Sequence, residues 1–156
     1  MAIKLQYPAN WKVTEENDTI KFRPSSTFIP YFGISVKSLP LQIKSLSDLN
    51  KDITTGISSY ATITQSSPTI FAGNLANKVE FTFTKGDYVE KWMQLWTVKN
   101  DREYIVSYVG EPLEYSKYLP IVQRMINTIS LGTITTTVTS NMTAETDNKV
   151  IIPGIL

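Results

Sequence analysis

The chain has 156 residues, with 15 basic and 14 acidic side chains for a formal net charge of +1, and it contains neither cysteine nor histidine. That length makes one domain with a real core, while disulfides and zinc sites built on thiolate or imidazole are excluded outright. The lysines are scattered (Lys4, Lys12, Lys37, Lys51, Lys78, Lys91, Lys117), so the clustered cations that phosphate neutralisation needs are missing and nucleic acid is not an expected partner.

Hydrophobic residues at 42% and charged residues at 19% fit a globular chain rather than a disordered one. No apolar run reaches the roughly 18 residues that a spanning helix needs. No signal peptide is visible, since Met1-Ala2-Ile3-Lys4 leads directly into Leu5-Gln6-Tyr7-Pro8. Either the protein is cytoplasmic or a leader has been removed upstream of Met1.

Short β segments come first. Trp11-Lys12-Val13 and Thr19-Ile20-Lys21-Phe22-Arg23 alternate apolar with polar around a turn expected at Glu15-Glu16-Asn17-Asp18. Pro24-Ser25-Ser26-Thr27 reads as a loop. Phe32, Ile34 and Val36 then alternate with Gly33, Ser35 and Lys37, a strand with one wet face that ends at Pro40. Leu46, Leu49, Ile53, Ile57 and Tyr60 recur at helical steps, with Ser45 or Ser47 as cap. Thr54-Thr55 and Gly56 weaken this helix, so burial must hold it.

Ala61 to Gln65 predicts a strand that breaks at Ser66-Ser67-Pro68. Beyond Ala72-Gly73-Asn74, Val79 to Thr84 alternates, Lys85-Gly86-Asp87 turns, and Tyr88 to Lys99 and Glu103 to Val109 form two strands joined at Asn100-Asp101. Met93 and Leu95 oppose Trp92, Trp96 and Val98, and Tyr104, Val106 and Tyr108 oppose Ile105 and Val109. Strands apolar on both sides are central and covered twice.

A second helix opens at Pro112 with the apolar stripe Leu113, Tyr118, Leu119, Val122, Met125, Ile126 and Ile129, and Pro120 predicts a kink or restart there. The order of elements gives an α+β fold with a mostly antiparallel sheet. Residues 1–131 make the domain, and residues 132–156 a Thr-rich tail or linker, either a docked edge strand or a stalk. The apolar ending Val150 to Leu156 is expected to dock on its own domain or on a neighbouring copy in a homo-oligomer.

Three segments resemble the PsbP-like family, named for an extrinsic protein of the photosystem II oxygen-evolving complex. They are Tyr7-Pro8-Ala9-Asn10-Trp11-Lys12-Val13; Trp92 to Val98 followed by Arg102 to Tyr108; and Glu114 to Pro120 running into Met125 to Ile129. The resemblance spans Tyr7 to Leu131. It implies an antiparallel sheet sandwiched by helices (an α/β/α sandwich) and a non-enzymatic accessory role, docking on larger protein assemblies, often outside the cytoplasm and sometimes through a membrane anchor. Lacking histidine, this chain has no counterpart of any metal-associated histidine of the photosynthetic members, so the resemblance points to relatives outside photosynthesis.

Catalysis without His or Cys would fall to carboxylates, Lys, Tyr or Ser/Lys pairs. The acidic candidates are Glu80, Asp87, Glu90, Asp101 and Glu103, which read first as a solvated face and as turn chemistry. There is no glycine-rich phosphate cradle, no Gly-x-Ser-x-Gly elbow and no EF-hand loop. No catalytic, cofactor-binding or metal residue is therefore assigned, and no cofactor is expected. Trp92, Trp96, Tyr104 and Tyr108 read as core and cross-strand pairs, or else as a groove in which one half-exposed ring takes a partner's side chain.

Asn17-Asp18-Thr19 and Asn141-Met142-Thr143 are glycosylation sequons in a turn and in the tail. With the family, they point to an extracytoplasmic or cell-surface domain, the cytoplasm being the alternative. The leading expectation is a docking domain for a protein partner. A small-ligand or Ca²⁺-binding module stands second and a carboxylate hydrolase third.

Overall fold

The computed structural model describes residues 2–132 and 152–154. In chain order the elements are β1 (Ala2–Lys4), β2 (Gln6–Pro8), β3 (Lys12–Glu16), β4 (Thr19–Arg23), β5 (Tyr31–Ser38), α1 (Leu46–Ser58), β6 (Thr62–Phe71), β7 (Asn74–Lys85), β8 (Tyr88–Lys99), β9 (Arg102–Gly110), α2 (Pro112–Asn127), β10 (Ser130–Gly132) and β11 (Ile152–Gly154). Seven strands form one antiparallel sheet in the order β3-β4-β5-β9-β8-β7-β6. The fold is α+β, as the alternation of patterns predicts.

Tight turns build the sheet. Asn17 and Asp18, Ala72 and Gly73, and Asn100 and Asp101 are consecutive pairs at positive φ, and Gly86 opens the fourth hairpin turn at φ 61°. Paired left-handed residues give a turn whose twist matches that of the flanking strands. The first turn is thus only Asn17-Asp18, and Glu15 and Glu16 extend β3 instead of turning it. The expected break at Ser66-Ser67-Pro68 is absent, because these residues run through the middle of β6. Since β6 is an edge strand, the missing N–H of Pro68 can face outward at no cost to the ladder. A bulge between Ile63 and Gln65 interrupts the register, and the Thr64 hydroxyl there donates to the Glu80 carbonyl.

Strands β8 and β9 are buried from both sides. On one face, Met93, Leu95, Tyr104, Val106 and Tyr108 join Phe22, Phe32 and Ile34 against Tyr115, Val122 and Met125 of α2. On the other, Trp96 joins Val79 and Phe81 against Leu49 and Ile57 of α1. The sheet is therefore sandwiched by one helix on each face. Ser45 caps α1, its hydroxyl accepting from the Asp48 N–H at 3.1 Å, and the Asp48 carboxylate accepts in return from the Lys44 N–H at 2.9 Å. Tyr60 falls beyond the end of α1 and stays largely exposed.

Helix α2 is continuous through Pro120, with neither restart nor second segment. Pro120 and Ser116 are both exposed, so the carbonyl that loses its helical donor can turn to water. Leu113 is not part of the buried stripe, being 86% exposed; Tyr115 takes that role. The Tyr115 ring stacks on Tyr108 at 4.6 Å, and the Tyr108 hydroxyl donates to the Tyr115 carbonyl at 2.7 Å. The N-terminal segment completes this layer: the Tyr7 ring lies 4.9 Å from Phe22, and Trp11 meets Tyr118 edge-on. β1 pairs antiparallel with β10, and β11 lies parallel beside β2. The Thr-rich stretch expected as strand or stalk lies outside the described residues.

Gly110 ends β9 where α2 begins. A Cβ placed there would sit 3.1 Å from the Tyr115 amide nitrogen and 3.3 Å from Pro30 Cβ, whereas one at Gly56 of α1 would meet nothing within 4 Å. Gly110→Ala is expected to destabilise the fold by about 1–3 kcal/mol through overpacking against backbone. Gly56→Ala is expected to stabilise it by about 0.5–1 kcal/mol through helix propensity. Denaturant unfolding of the two variants checks both signs.

Candidate docking face

The face of the sheet under α1 is only partly covered. The residues that pack with α1 come from β6, β7, β8, β9 and the segment after β5, and none comes from β3, β4 or β5. Strand alternation sends Thr14, Glu16, Lys21, Arg23, Tyr31, Gly33 and Ser35 to this face, because Ile20, Phe22, Phe32 and Ile34 belong to the core on the other side. One row across the sheet reads Thr14, Lys21, Gly33, Ser107, Gln94. Gly33 is buried at the middle of that row, with Thr19 and Tyr31 packed over it. A Cβ on Gly33 would come within 3.0 Å of Thr19 Cγ2 and 3.4 Å of the Tyr31 ring.

One side of this face is ionic. The Arg23 guanidinium, 8% exposed, donates to Glu16 Oε1 at 2.8 Å, to Glu16 Oε2 at 3.3 Å, to Thr14 Oγ1 at 2.9 Å and to the Phe28 carbonyl at 3.0 Å. Lys21 Nζ adds a bond to Glu16 Oε2 at 2.9 Å. Two cations thus share one acid. They also lie over aromatic rings: Lys21 Nζ is 4.4 Å and Arg23 Cζ 5.4 Å from the Tyr31 centroid, and each is 5.7 Å from that of Phe28. Phe28 itself is 73% exposed.

The other side is aromatic. Tyr31 meets Trp92 edge-on at 6.2 Å, Trp92 stacks on Phe81 at 5.6 Å, and Tyr60 packs against Phe81 and Phe83. Of the four aromatic candidates read from sequence, Trp96, Tyr104 and Tyr108 are core. The Trp96 indole N–H donates to Asn50 Oδ1 of α1 at 2.7 Å. Trp92 alone stays partly exposed, at the rim of the open face.

The candidate acids are dispersed. Glu80 and Glu90 lie on neighbouring strands but on opposite faces, since Glu80 shares the parity of Ala76 and Glu90 that of Trp92 and Trp96. Glu80 pairs with Lys78 at 3.5 Å. Asp87 and Asp101 occupy turns at opposite ends of β8 and do not converge on one ion. Glu103 lies opposite Lys37 near the other end of β8 from Glu90. Its carboxyl is raised above the usual range by burial, with Lys37 pulling it down and Asp52 pushing it up. Among the described residues no cluster of three or more Asp and Glu could hold a metal ion.

The ionic side was not read from the sequence, where Glu16 counts as a turn residue and Arg23 as the end of a short strand. The signal for it is the extension of β3 to Glu16, which puts Thr14 and Glu16 on the face of Lys21. The sequon residue Asn17 is exposed in its turn at φ 49°; Asn141 lies outside the described residues.

Glu16 gives a pH signature. The bonds from Arg23, then Lys21 and Thr14, hold its carboxyl down at about 2, against an ordinary 4.5. A depressed folded-state value means stability that is fully present above 4.5 and lost as pH falls from there through about 2. Glu16→Gln is expected to lower the unfolding midpoint at neutral pH and to flatten its acid-side fall over that window. Because Glu16 is about a third exposed, added salt should shrink the difference. Urea midpoints measured across that range with and without salt check this.

The sequence matches no known family profile and no curated protein. Solved structures do match in fold. A Pseudomonas aeruginosa protein of unknown function, PA94, aligns at TM-score 0.59 and 8% identity over 80% of this chain and 99% of its own. Cyanobacterial PsbP from Synechocystis sp. PCC 6803 aligns at TM-score 0.61 and 10% identity over 81% and 84%. LpqN of Mycobacterium tuberculosis, involved in cell envelope biogenesis, aligns at 0.61 and 9% over 82% of each chain. At these identities the likeness is one of fold, and the fold is PsbP-like.

Proposed function

We propose that this chain is a non-enzymatic accessory domain of the PsbP-like family that docks on a larger protein assembly at the cell surface. The observation that carries this reading is the open half of the sheet beside α1. There Phe28, Tyr31 and Trp92 border the Lys21–Glu16–Arg23 cluster. Partly exposed aromatic rings next to fixed charges are the composition of a protein-binding patch, in which a few aromatic and Arg anchors carry most of the affinity. The five candidate acids offer no close carboxylate pair for general acid–base work at neutral pH. Likeness in fold to LpqN, itself involved in cell envelope biogenesis, supports an extracytoplasmic site of action.

Affinity capture from the native envelope fraction tests the reading. The wild-type chain should retain a defined protein partner, and Phe28→Ser should weaken retention by about tenfold. Leu113→Ser, on the opposite layer, serves as control and should leave retention unchanged. Recovery of the protein only from cytosol, or equal retention by all three chains, would sink the proposal.

A further inference from the structure

Glu90 lies on β8 beside the aromatic rings. Its Oε1 accepts from the Tyr88 hydroxyl at 2.7 Å and its Oε2 from the Trp92 indole N–H at 2.7 Å. A carboxylate has about four lone-pair sites, so these two bonds fix its position without exhausting its capacity. No described cation pairs with it: Lys21 and Arg23 are committed to Glu16, and Lys78 to Glu80. Lys91, next in sequence, lies across the sheet, 5.6 Å from the Tyr115 ring. The result is a half-buried anion held in place with no described cation in ion-pair distance; the exposed Lys85 shares its face, opposite Tyr88 in the β7–β8 ladder, and makes no ion pair with it.

Rings surround it. Trp92 and Tyr88 flank Glu90 along the strand, and Phe83 is its cross-strand neighbour on β7. Tyr31 closes one side through its edge contact with Trp92, and Tyr60 the other through Phe81 and Phe83. Electrostatics agree with this placement. The Tyr60 hydroxyl is pushed up by burial and then by the charge of Glu90. Tyr88 is pushed up to about 12, chiefly by its bond to Glu90.

We infer that this ring-lined patch is a socket for a basic side chain, an arginine or lysine presented by the docking partner, with Glu90 taking its charge and the Tyr60, Tyr88 and Trp92 rings bordering its stem. The inference rests on the docking reading above and names the chemistry of the partner. A carboxylate without an ion-pair partner, bordered by aromatic rings, complements a guanidinium or ammonium group and repels an anion. The patch is open, for Tyr60 is 57% and Tyr88 41% exposed. Small-molecule sites enclose most of their ligand, so a cation seated here needs a larger body to supply the remaining contact.

The test follows the three indole N–H signals by ¹⁵N-edited NMR during titration with acetyl-Gly-Arg-Gly-amide. Its citrulline counterpart, which keeps the shape and loses the charge, is the control. The arginine peptide should shift the Trp92 indole and leave those of Trp11 and Trp96 in place; the citrulline peptide should shift none. Glu90→Gln, which keeps acceptors for Tyr88 and Trp92, should weaken the arginine peptide about tenfold. No shift with the arginine peptide or its lysine analogue, or a shift unaffected by Glu90→Gln, overturns the socket. Tighter binding of tetramethylammonium than of either peptide overturns it in favour of a small-cation site. In the capture experiment, a partner lost on Phe28→Ser but kept by Glu90→Gln overturns the socket while leaving the docking face standing. A charge-dependent peptide shift with no captured partner supports the socket and sinks the docking reading.

Discussion

Strands β8 and β9 are apolar on both faces, and the rest of the architecture follows from keeping water off both. A strand pair of that kind cannot lie at an edge or under a single layer. β5 and β7 flank it within the sheet, α2 with the N-terminal segment covers the side of Met93 and Tyr108, and α1 covers the side of Trp96. Two cross-layer hydrogen bonds fix these lids in angle as well as in contact: Trp96 to Asn50 on one face, Tyr108 to Tyr115 on the other. Each satisfies a polar atom that burial would otherwise penalise.

The same constraint explains the uncovered surface. A thirteen-residue α1 is about 20 Å long at 1.5 Å per residue, too little to roof seven strands at about 4.8 Å spacing. Its apolar contacts therefore go to the β6–β7–β8 half, and the β3–β4–β5 half is finished by its own side chains. There the residues are long, charged or aromatic, and they are ordered by each other. The fork of Arg23 ties β3 to β4 and to the loop carrying Phe28, so the surface is held in one arrangement by contacts within the chain. Such preorganisation lowers the entropic cost of association.

Much of this was legible in the sequence because the relevant signals are local. The two-sided apolar pattern of Tyr88 to Val109 gave the central hairpin, and Ser45 marked the start of α1. What escaped were residues whose meaning depends on distant neighbours. Pro68 reads as a breaker until β6 is known to be an edge, and Pro120 as a kink until Ser116 is known to face water. Leu113 fits the helical stripe by spacing yet lies outside the contact zone, while Tyr115 enters it because Gly110 lets the helix approach. The candidate site was legible only in part. Trp92 was singled out with three rings that proved to be core, and nothing local distinguishes them. Glu16, Lys21 and Arg23 meet only after two strands pair in register, and Tyr60 and Tyr31 come to Glu90 from elements that no motif connects.

The strand order also determines how the chain must assemble. Six hairpin-like neighbours in sequence would let the sheet zip locally, but here the meander β3-β4-β5 joins the meander β6-β7-β8-β9 along one seam, the β5–β9 ladder that ties residues 31–38 to residues 102–109. Each meander can form on the timescale of hairpins, whereas the seam requires closing the long intervening loop before any of its bonds is gained. Registration of β5 on β9 is thus expected to be the late, rate-setting event of folding, and until it happens the doubly apolar β9 would be an open edge, the point at which a chaperone or a second nascent chain would have its best opportunity to intervene.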